Sequence, residues 1–542
     1  MAFTSLSSHR YLILWILLNS AIFYITYQKY LQPQYFHLQS MLGRGLCISR
    51  ASATVINLNS ALVLLPVCRG LNSLLYRLLS RVSRTLLALW LAHLKSIHIT
   101  LALTIVVAAV VHSAAHFVNS ANFSQHYDAH HPEINWAKYK GQSPVVLILS
   151  SSVGLTGVGM LLILLLLLIL SLSCVRERYY DIFWATHFLF LPFMICLILH
   201  PLSGVLKEQS NYPHNLLECD EASSNMTISE TCHANPTFTS MECQGWLWVV
   251  AALGISLSDC LLRSCRRNYS VYQVTQAVDM SGGVTHLTLR TDHTVRLNPG
   301  QYVLLQCPRL SSLEWHPFTV TSVSCSTSHT YISLLIRRRG DWTKAVCRLL
   351  SKAGRDNILP HSVALPRILV DGPFCSPLEN VVKARLAICI AAGIGITPFI
   401  AVLHHLYKSD SVRWGQERPH HLHLLWVVRS QDQLTWAADL ITQLHHKCWS
   451  SNYPDKFDFS LYITKGNAHQ GSLSLSNLIQ KRTYFGRPNW RNLFSEWALL
   501  YHKKEVSVFT CGPSSLHRQV KSAALKFNSK GTRFNCVQES FS

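Results

Sequence analysis

The sequence predicts a multi-pass α-helical membrane domain of six helices, joined to a soluble module made of an antiparallel β-barrel and an α/β nucleotide-binding domain. Three observations carry that prediction. The first half of the 542 residues holds apolar stretches near 11–28, 46–68, 96–117, 144–174, 182–200 and 246–264, each close to the ~20 residues that cross a bilayer. From about residue 270 the texture changes to short β-rich runs broken by Pro and Gly, such as Tyr302-Val-Leu-Leu-Gln and Tyr331-Ile-Ser-Leu-Leu-Ile. From about 385 an apolar strand, a Gly turn and a helix recur, as in Leu386 to Ala391 then Thr397 to Tyr407, and Leu422 to Val428 then a helix near 434–447. The divisions that follow are 1–267 for the membrane domain, 268–384 for the barrel and 385–542 for the nucleotide-binding domain. Residues 448–500 read only as an excursion from the sheet.

The formal charge of +21 is placed where a membrane topology needs it. Lys and Arg flanking spans stay on the cytoplasmic side. The loop between spans two and three carries Arg69, Arg77, Arg81, Arg84 and Lys95 without an acid, and Arg263, Arg266 and Arg267 follow span six. The loop after span five holds Glu208, Glu218, Asp220, Glu221, Glu230 and Glu242 against Lys207, so it belongs outside and both termini face the cytosol. The first span follows Arg10 with no small-residue cleavage site and reads as a retained helix. The triplets Asn122-Phe-Ser and Asn225-Met-Thr, candidate N-glycosylation sites, fall in loops this topology puts outside. The basic charge tracks membrane edges and no binding motif accompanies it, so no nucleic-acid partner is expected. The 17 cysteines include no CxxC pair, which speaks against a zinc module or disulfide scaffold; in the outer loop Cys219, Cys232 and Cys243 allow one disulfide with one thiol over.

Imidazoles inside the hydrocarbon are costly and therefore functional suspects. Span three holds His98, His112 and His116, and span five holds His187 and His200. His98 and His112 are 14 residues apart, about 21 Å along a helix and on roughly one face. His187 and His200 are 13 apart, about 20 Å, so each helix offers one imidazole near each side of the membrane. A bis-imidazole haem needs one axial nitrogen from each side. That assigns His98 with His187 to an inner haem and His112 with His200 to an outer one. On a straight helix the 13-residue spacing leaves the second imidazole ~140° out of phase, so the helix has to bend or locally unwind, and Pro192 lies between the two. The competing readings are satisfied core histidines, or a simple metal site at His112 and His116.

The soluble half presents an ordered set of nucleotide-handling segments. His316-Pro-Phe-Thr-Val-Thr-Ser322 offers an aromatic-flanked strand edge for a flavin ring, with Pro317, Phe318, Thr319, Thr321 and Ser322 lining it. Arg337 is spaced to meet the FAD pyrophosphate, and Gly340 to Thr343 opens a helix whose free N–H groups favour anions. Downstream, Gly393-Ile-Gly395-Ile-Thr397-Pro398 follows a strand and carries GxG with Pro398 where a third Gly would fall, still a turn able to cradle a pyrophosphate. Arg429 and Arg487 are candidates for the 2′-phosphate that distinguishes NADPH, against the alternative of two surface arginines. Cys511-Gly512-Pro513 closes the last apolar strand of this set.

The four matched span histidines, His316-Pro-Phe-Thr, Gly393-Ile-Gly-Ile-Thr-Pro, Cys511-Gly-Pro and the terminal Glu539-Ser-Phe-Ser resemble the NADPH oxidase family over nearly the whole chain. Arg44-Gly-Leu-Cys-Ile-Ser-Arg-Ala-Ser-Ala and Gly531-Thr-Arg-Phe look like its kidney-type, peroxide-releasing branch in particular. The resemblance implies a ferredoxin-NADP-reductase-like module that passes electrons from NADPH through FAD and two b-type haems to O2, with Phe541 stacked on the flavin until nicotinamide displaces it. It also implies a small transmembrane alpha subunit as partner, a location in the endoplasmic reticulum or plasma membrane among lipids, and an outer loop that steers the product toward hydrogen peroxide over superoxide. That loop, about 201–245, is shorter here than the branch suggests, but His214 matches its histidine and Cys219 with Cys243 its cysteine pair; an imidazole of ordinary pKa ~6.5 suits proton supply. The nearest rival is a transmembrane ferric or cupric reductase, which shares the wiring and differs in acceptor. A proton channel with a nucleotide-sensing domain is the rival from another class.

Overall fold

The structure is a computed structural model that describes residues 4–79, 84–127, 134–203, 207–210, 237–240, 245–268, 271–311, 314–356, 367–409, 419–465, 476–528 and 531–539. The chain divides into two compact units, one of residues 10–68 and 95–258, the other of residues 1–9, 69–94 and 259–542.

Among the described residues six helices are long and apolar enough to cross a membrane: Tyr11–Lys29, Arg44–Val67, Trp90–Gln125, Ser152–Ser171, Ile182–Leu202 and Gly245–Cys265. Three of them depart from the apolar stretches in the sequence. Span three belongs to one unbroken helix, Arg84–Gln125, longer than 96–117 at both ends. Hydropathy marks only the part that prefers lipid, whereas the polar flanks contain no Gly or Pro to stop the helix. Asn122 consequently lies in the last turn of this helix and not in a loop, and its side-chain amide donates to the Leu42 carbonyl at 3.0 Å. The nitrogen that a glycan would occupy is thus already engaged.

Span four is interrupted after a short helix, Pro144–Leu149, and restarts at Ser152 where the Ser151 hydroxyl accepts from the Gly154 amide at 3.0 Å. Span five is two helices, Tyr180–His187 and Phe190–Leu199. The break falls at Phe188 and Leu189, upstream of Pro192. A proline ring clashes with the carbonyl four residues before it, which here belongs to Phe188, so the helix yields there and Pro192 sits in the first turn of the new segment. The helix is therefore interrupted about one turn upstream of Pro192.

In the second unit, helix α1 (Arg69–Leu79) lies against the soluble module: the Cys375 amide donates to Ser73 Oγ at 3.2 Å and Tyr76 donates to Asn380 Oδ1 at 3.1 Å. Buried Asp259, near the end of span six, accepts from the Leu71 amide at 2.7 Å and pairs with Arg263 at 3.0 Å. Arg263 in turn pairs with buried Asp371 at 3.2 Å.

The barrel is built from β1 (Val271–Met280), β2 (Val284–Thr291), β3 (Tyr302–Gln306), β4 (His316–Cys325), β5 (Thr330–Arg337) and β6 (Ile368–Phe374), with helix α2 (Asp341–Asp356) after β5. The strands close in the order β1-β2-β5-β4-β3-β6, every pairing antiparallel. Alternate residues point inward, so Leu287, Leu289, Ile332, Leu334 and Ile336 fill the interior with Trp342 and Val346 of α2.

A six-stranded parallel sheet follows, from β7 (Leu386–Ala392), β8 (His421–Val428), β9 (Phe457–Ile463), β10 (Thr483–Phe485), β11 (Glu505–Cys511) and β12 (Arg533–Glu539). Its order is β10-β9-β8-β7-β11-β12, with helices α3 (Thr397–Lys408), α4 (Ala438–Ser450), α5 (Trp490–Leu500) and α6 (Ser514–Phe527). The helix expected near 434–447 starts later, at Ala438, because a 3₁₀ turn, Gln431–Trp436, comes first. Within 448–500, read from the sequence as an excursion, the described residues instead supply the sheet strands β9 and β10.

Candidate functional site

The span histidines meet in two matched pairs. The ring centroids of His98 and His187 are 6.2 Å apart at 61°, and those of His112 and His200 are 6.2 Å apart at 60°. Two metal–nitrogen bonds of ~2.0–2.1 Å plus the two half-rings account for such a gap. Nδ1 of His98 lies 2.9 Å from the Val63 carbonyl and Nδ1 of His112 lies 2.9 Å from the Ser49 carbonyl. A carbonyl only accepts, so both rings carry their proton on Nδ1 and leave Nε2 for a metal. Among the described residues no cluster of three or more His, Cys, Asp or Glu side chains is arranged to hold a metal ion. Two imidazoles per site fit an iron whose other ligands come from a macrocycle. His116 stands 4.5 Å from His112, edge to face, on the side of the second pair.

On β4, His316 stacks on Trp342 at 4.2 Å, and Phe318 lies 6.2 Å from the same indole. The Thr319 hydroxyl and the Trp342 indole N–H are buried without a partner among the described residues. Orphan polar atoms beside a flat aromatic wall suit a planar ligand with hydrogen-bonding edges. Thr321 and Thr343 are spent elsewhere: Thr321 donates to the Ser333 carbonyl at 2.9 Å, and Thr343 Oγ1 accepts from the Arg339 and Gly340 amides at 3.1 Å each. The Gly340 amide is therefore not one of the free N–H groups expected at this helix start. Pro317 and Ser322 occupy β4 on either side of these residues.

At the carboxyl ends of the parallel strands, Gly393–Ile396 forms a tight turn and α3 begins at Thr397 with Pro398 in its first turn. Gly395 admits no side chain, since a Cβ there would fall inside van der Waals contact of the Cys511 carbonyl. That close approach brings the Cys511-Gly512-Pro513 turn against the strand–helix turn. Arg337 reaches to 3.8 Å from where a Cβ on Gly393 would stand. Burial, then Arg429 and Arg339 beside it, lower its pKa below the ordinary guanidinium value. Arg337 and Arg429 are within electrostatic reach of each other, and an anionic ligand would relieve their repulsion. Arg487 is exposed in the segment after β10 and joins neither of them by any contact among the described residues.

Three family profiles match separate parts of the chain. Residues 57–198 match a ferric reductase like transmembrane component, residues 270–378 an FAD-binding domain and residues 386–525 a ferric reductase NAD binding domain. NADPH oxidase 4 of Mus musculus is 35% identical over 98% of this chain and 97% of its own. The chain belongs to the NADPH oxidase family. NADPH oxidase 1 of Mus musculus is 28% identical over 96% of this chain and 91% of its own. A ferredoxin NADP+ reductase from Neisseria gonorrhoeae with bound FAD and NADP matches half of the chain at 13% identity and a TM-score of 0.34.

This NADPH oxidase has further residues at its sites that composition and spacing did not single out. Arg50, within span two, is in electrostatic reach of His112, His116 and His200, and its Nε donates to the Tyr30 hydroxyl at 3.0 Å. An arginine at membrane depth is itself a signal, since it demands an anionic or polar partner. Glu539 pairs with Cys511 in register on neighbouring strands and is buried, accepting from the Ser376 hydroxyl at 2.8 Å. Trp342 was visible only as part of the Gly340-Asp-Trp-Thr segment. His214, Cys219, Cys232, Cys243, Asn225 and Phe541 lie outside the described residues.

Proposed function

We propose that this NADPH oxidase moves electrons from NADPH at the sheet edge, through FAD on the barrel wall and haems held by His98 with His187 and His112 with His200, to O2. The equal 6.2 Å spacing of the two imidazole pairs is the observation that carries the reading. Haem iron supplies one-electron transfer along the span axis, which two free imidazoles cannot.

The chain's own residues divide the remaining work. Val63 and Ser49 hold the rings of His98 and His112 in the tautomer that leaves Nε2 free. Arg50 faces the second pair as a fixed positive charge, suited to the carboxylates of a haem or to an anionic oxygen product. Thr319 and Trp342 offer hydrogen-bond donors to the flavin, and Arg337 with Arg429 neutralise phosphates, Arg429 taking the 2′-phosphate. The basic loops put both termini in the cytosol, so NADPH is drawn from that side and the product leaves on the other. The partner implied by the family resemblance is a small transmembrane subunit. Oxygen is favoured over ferric or cupric ions as acceptor because the relatives that match the chain end to end are oxidases.

Anaerobic addition of NADPH to detergent-purified, FAD-loaded protein tests the path. The Soret and α bands should shift to the reduced form and revert on admission of air, with superoxide or peroxide appearing. Flavin bleaching with unchanged haem bands would reject the histidine assignment.

A further inference from the structure

The first barrel hairpin turns through Ser281, Gly282 and Gly283 between β1 and β2. Both glycines need the left-handed backbone, with φ of +72° and +71°. Gly283 is explained by that alone, for a Cβ there would meet nothing within 4 Å. Gly282 is under a second constraint: its Cβ would stand 3.0 Å from the Trp436 ring and 3.2 Å from the Gln433 side chain, in the nucleotide-binding domain. The turn is also tied to that segment by hydrogen bonds. Ser281 Oγ donates to the Asp432 carbonyl at 2.6 Å, and Trp436 Nε1 donates to the Ser281 carbonyl at 2.9 Å.

These two bonds bracket Gln433, whose Oε1 accepts from the Arg429 amide at 3.0 Å. On its other side the turn accepts at Gly283 from the Arg338 amide at 2.9 Å, next to Arg337. One exposed turn of the flavin barrel therefore sets the spacing between the arginine at the end of β5 and the arginine at the end of β8. Exposure of Ser281 and Gly282 makes a large packing role unnecessary.

We infer that the Ser281–Gly283 turn is a specificity-determining positioning element, which holds the Gln433 clasp so that Arg429 meets the 2′-phosphate of NADPH. The inference rests on the assignment of Arg429 above. NADH and NADPH share every group except that phosphate, so a displaced Arg429 penalises NADPH alone.

The test uses full-length, FAD- and haem-loaded protein in membranes, with Ser281→Ala, Gly282→Ala and Arg429→Ala. KM and kcat are measured with NADPH and with NADH, and binding of 2′,5′-ADP is measured by calorimetry without turnover. Ser281→Ala and Gly282→Ala should raise KM for NADPH and the Kd for 2′,5′-ADP by roughly three- to ten-fold, the range of one lost hydrogen bond. KM for NADH and both kcat values should stay unchanged, and Ser281→Thr should restore NADPH binding. If Arg429→Ala lowers the NADPH preference while both turn variants behave as the parent, the turn has no such role and the Arg429 assignment stands. Equal rises in both KM values would mean a merely structural turn and overturn the inference. An unchanged preference in Arg429→Ala would reject the 2′-phosphate assignment and the inference with it. Should Gly282→Ala fail to retain FAD, Ser281→Ala decides alone.

Discussion

Nδ1 of His200 lies 2.9 Å from Thr156 Oγ1. The Thr156 hydroxyl already donates to the Ser152 carbonyl at 2.8 Å, so its oxygen is left to accept and His200 is protonated on Nδ1. Nε2 then points its lone pair at the gap toward His112. Nδ1 of His187, by contrast, is buried with no partner among the described residues. Outer-shell bonds of this kind change metal affinity about 10- to 100-fold. Thr156→Val should therefore weaken haem at the His112–His200 pair by that order and spare the other. A pyridine-haemochrome titration of the reconstituted protein reads it, and two equally tight sites in the variant would refute it.

Pro192→Ala restores the N–H whose absence lets span five break at Phe188 and Leu189. If the two segments fuse, His200 rotates ~140° away from His187. The expected result is loss of one haem of two, read from the Soret absorbance per flavin. Full haem content in the variant would show that packing alone sets the break.

Gly395→Ala forces a methyl into the Cys511 carbonyl. Overpacking of this sort costs about 1–3 kcal/mol, here paid by opening the turn that meets NADPH. Haem and FAD content should persist while NADPH-driven flavin reduction falls by roughly ten-fold or more. Stopped-flow absorbance at the flavin band checks it.

Glu539 should make stability pH-dependent. Burial pushes its carboxyl up to about 8, Glu379 adding to the shift and the Ser376 hydroxyl opposing it. A folded-state pKa above the unfolded 4.5 means the folded chain binds the extra proton between the two values, so stability is fullest below about 4.5 and declines as pH rises through about 8. Flavin release on heating should begin at lower temperature as pH climbs through that window. Glu539→Gln should flatten the dependence, and an unchanged slope would exclude Glu539 as its source.

The architecture was legible because its signals are long or periodic. Each span strings about 20 mostly apolar residues together, the length a bilayer demands, and the β7-turn-α3 unit announces itself through Gly393 and Gly395. The pairing of the span histidines was legible because matched depth is a property of spacing. What stayed hidden depends on atoms meeting across the fold. Thr321 and Thr343 have the right chemistry at the right places, yet each hydroxyl is consumed by a neighbouring backbone group. Arg487 is exposed after β10, whereas Arg429 is within electrostatic reach of Arg337, a relation between two domains that spacing alone does not reveal. Strand β9 was missed because Phe457, Phe459, Leu461 and Ile463 alternate with Asp458, Ser460 and Tyr462, unlike the unbroken apolar run of β7 that marks a parallel strand in the sequence.

The two histidine-bearing spans obey different rules of spelling. On the unbroken helix Arg84–Gln125, inserting or deleting one residue between His98 and His112 swings one imidazole by ~100° and forfeits a pair. Between His187 and His200 the joint at Phe188 and Leu189 absorbs such a change. A one-residue gap in span three therefore breaks an imidazole pair, whereas one at the span-five joint leaves both pairs able to meet.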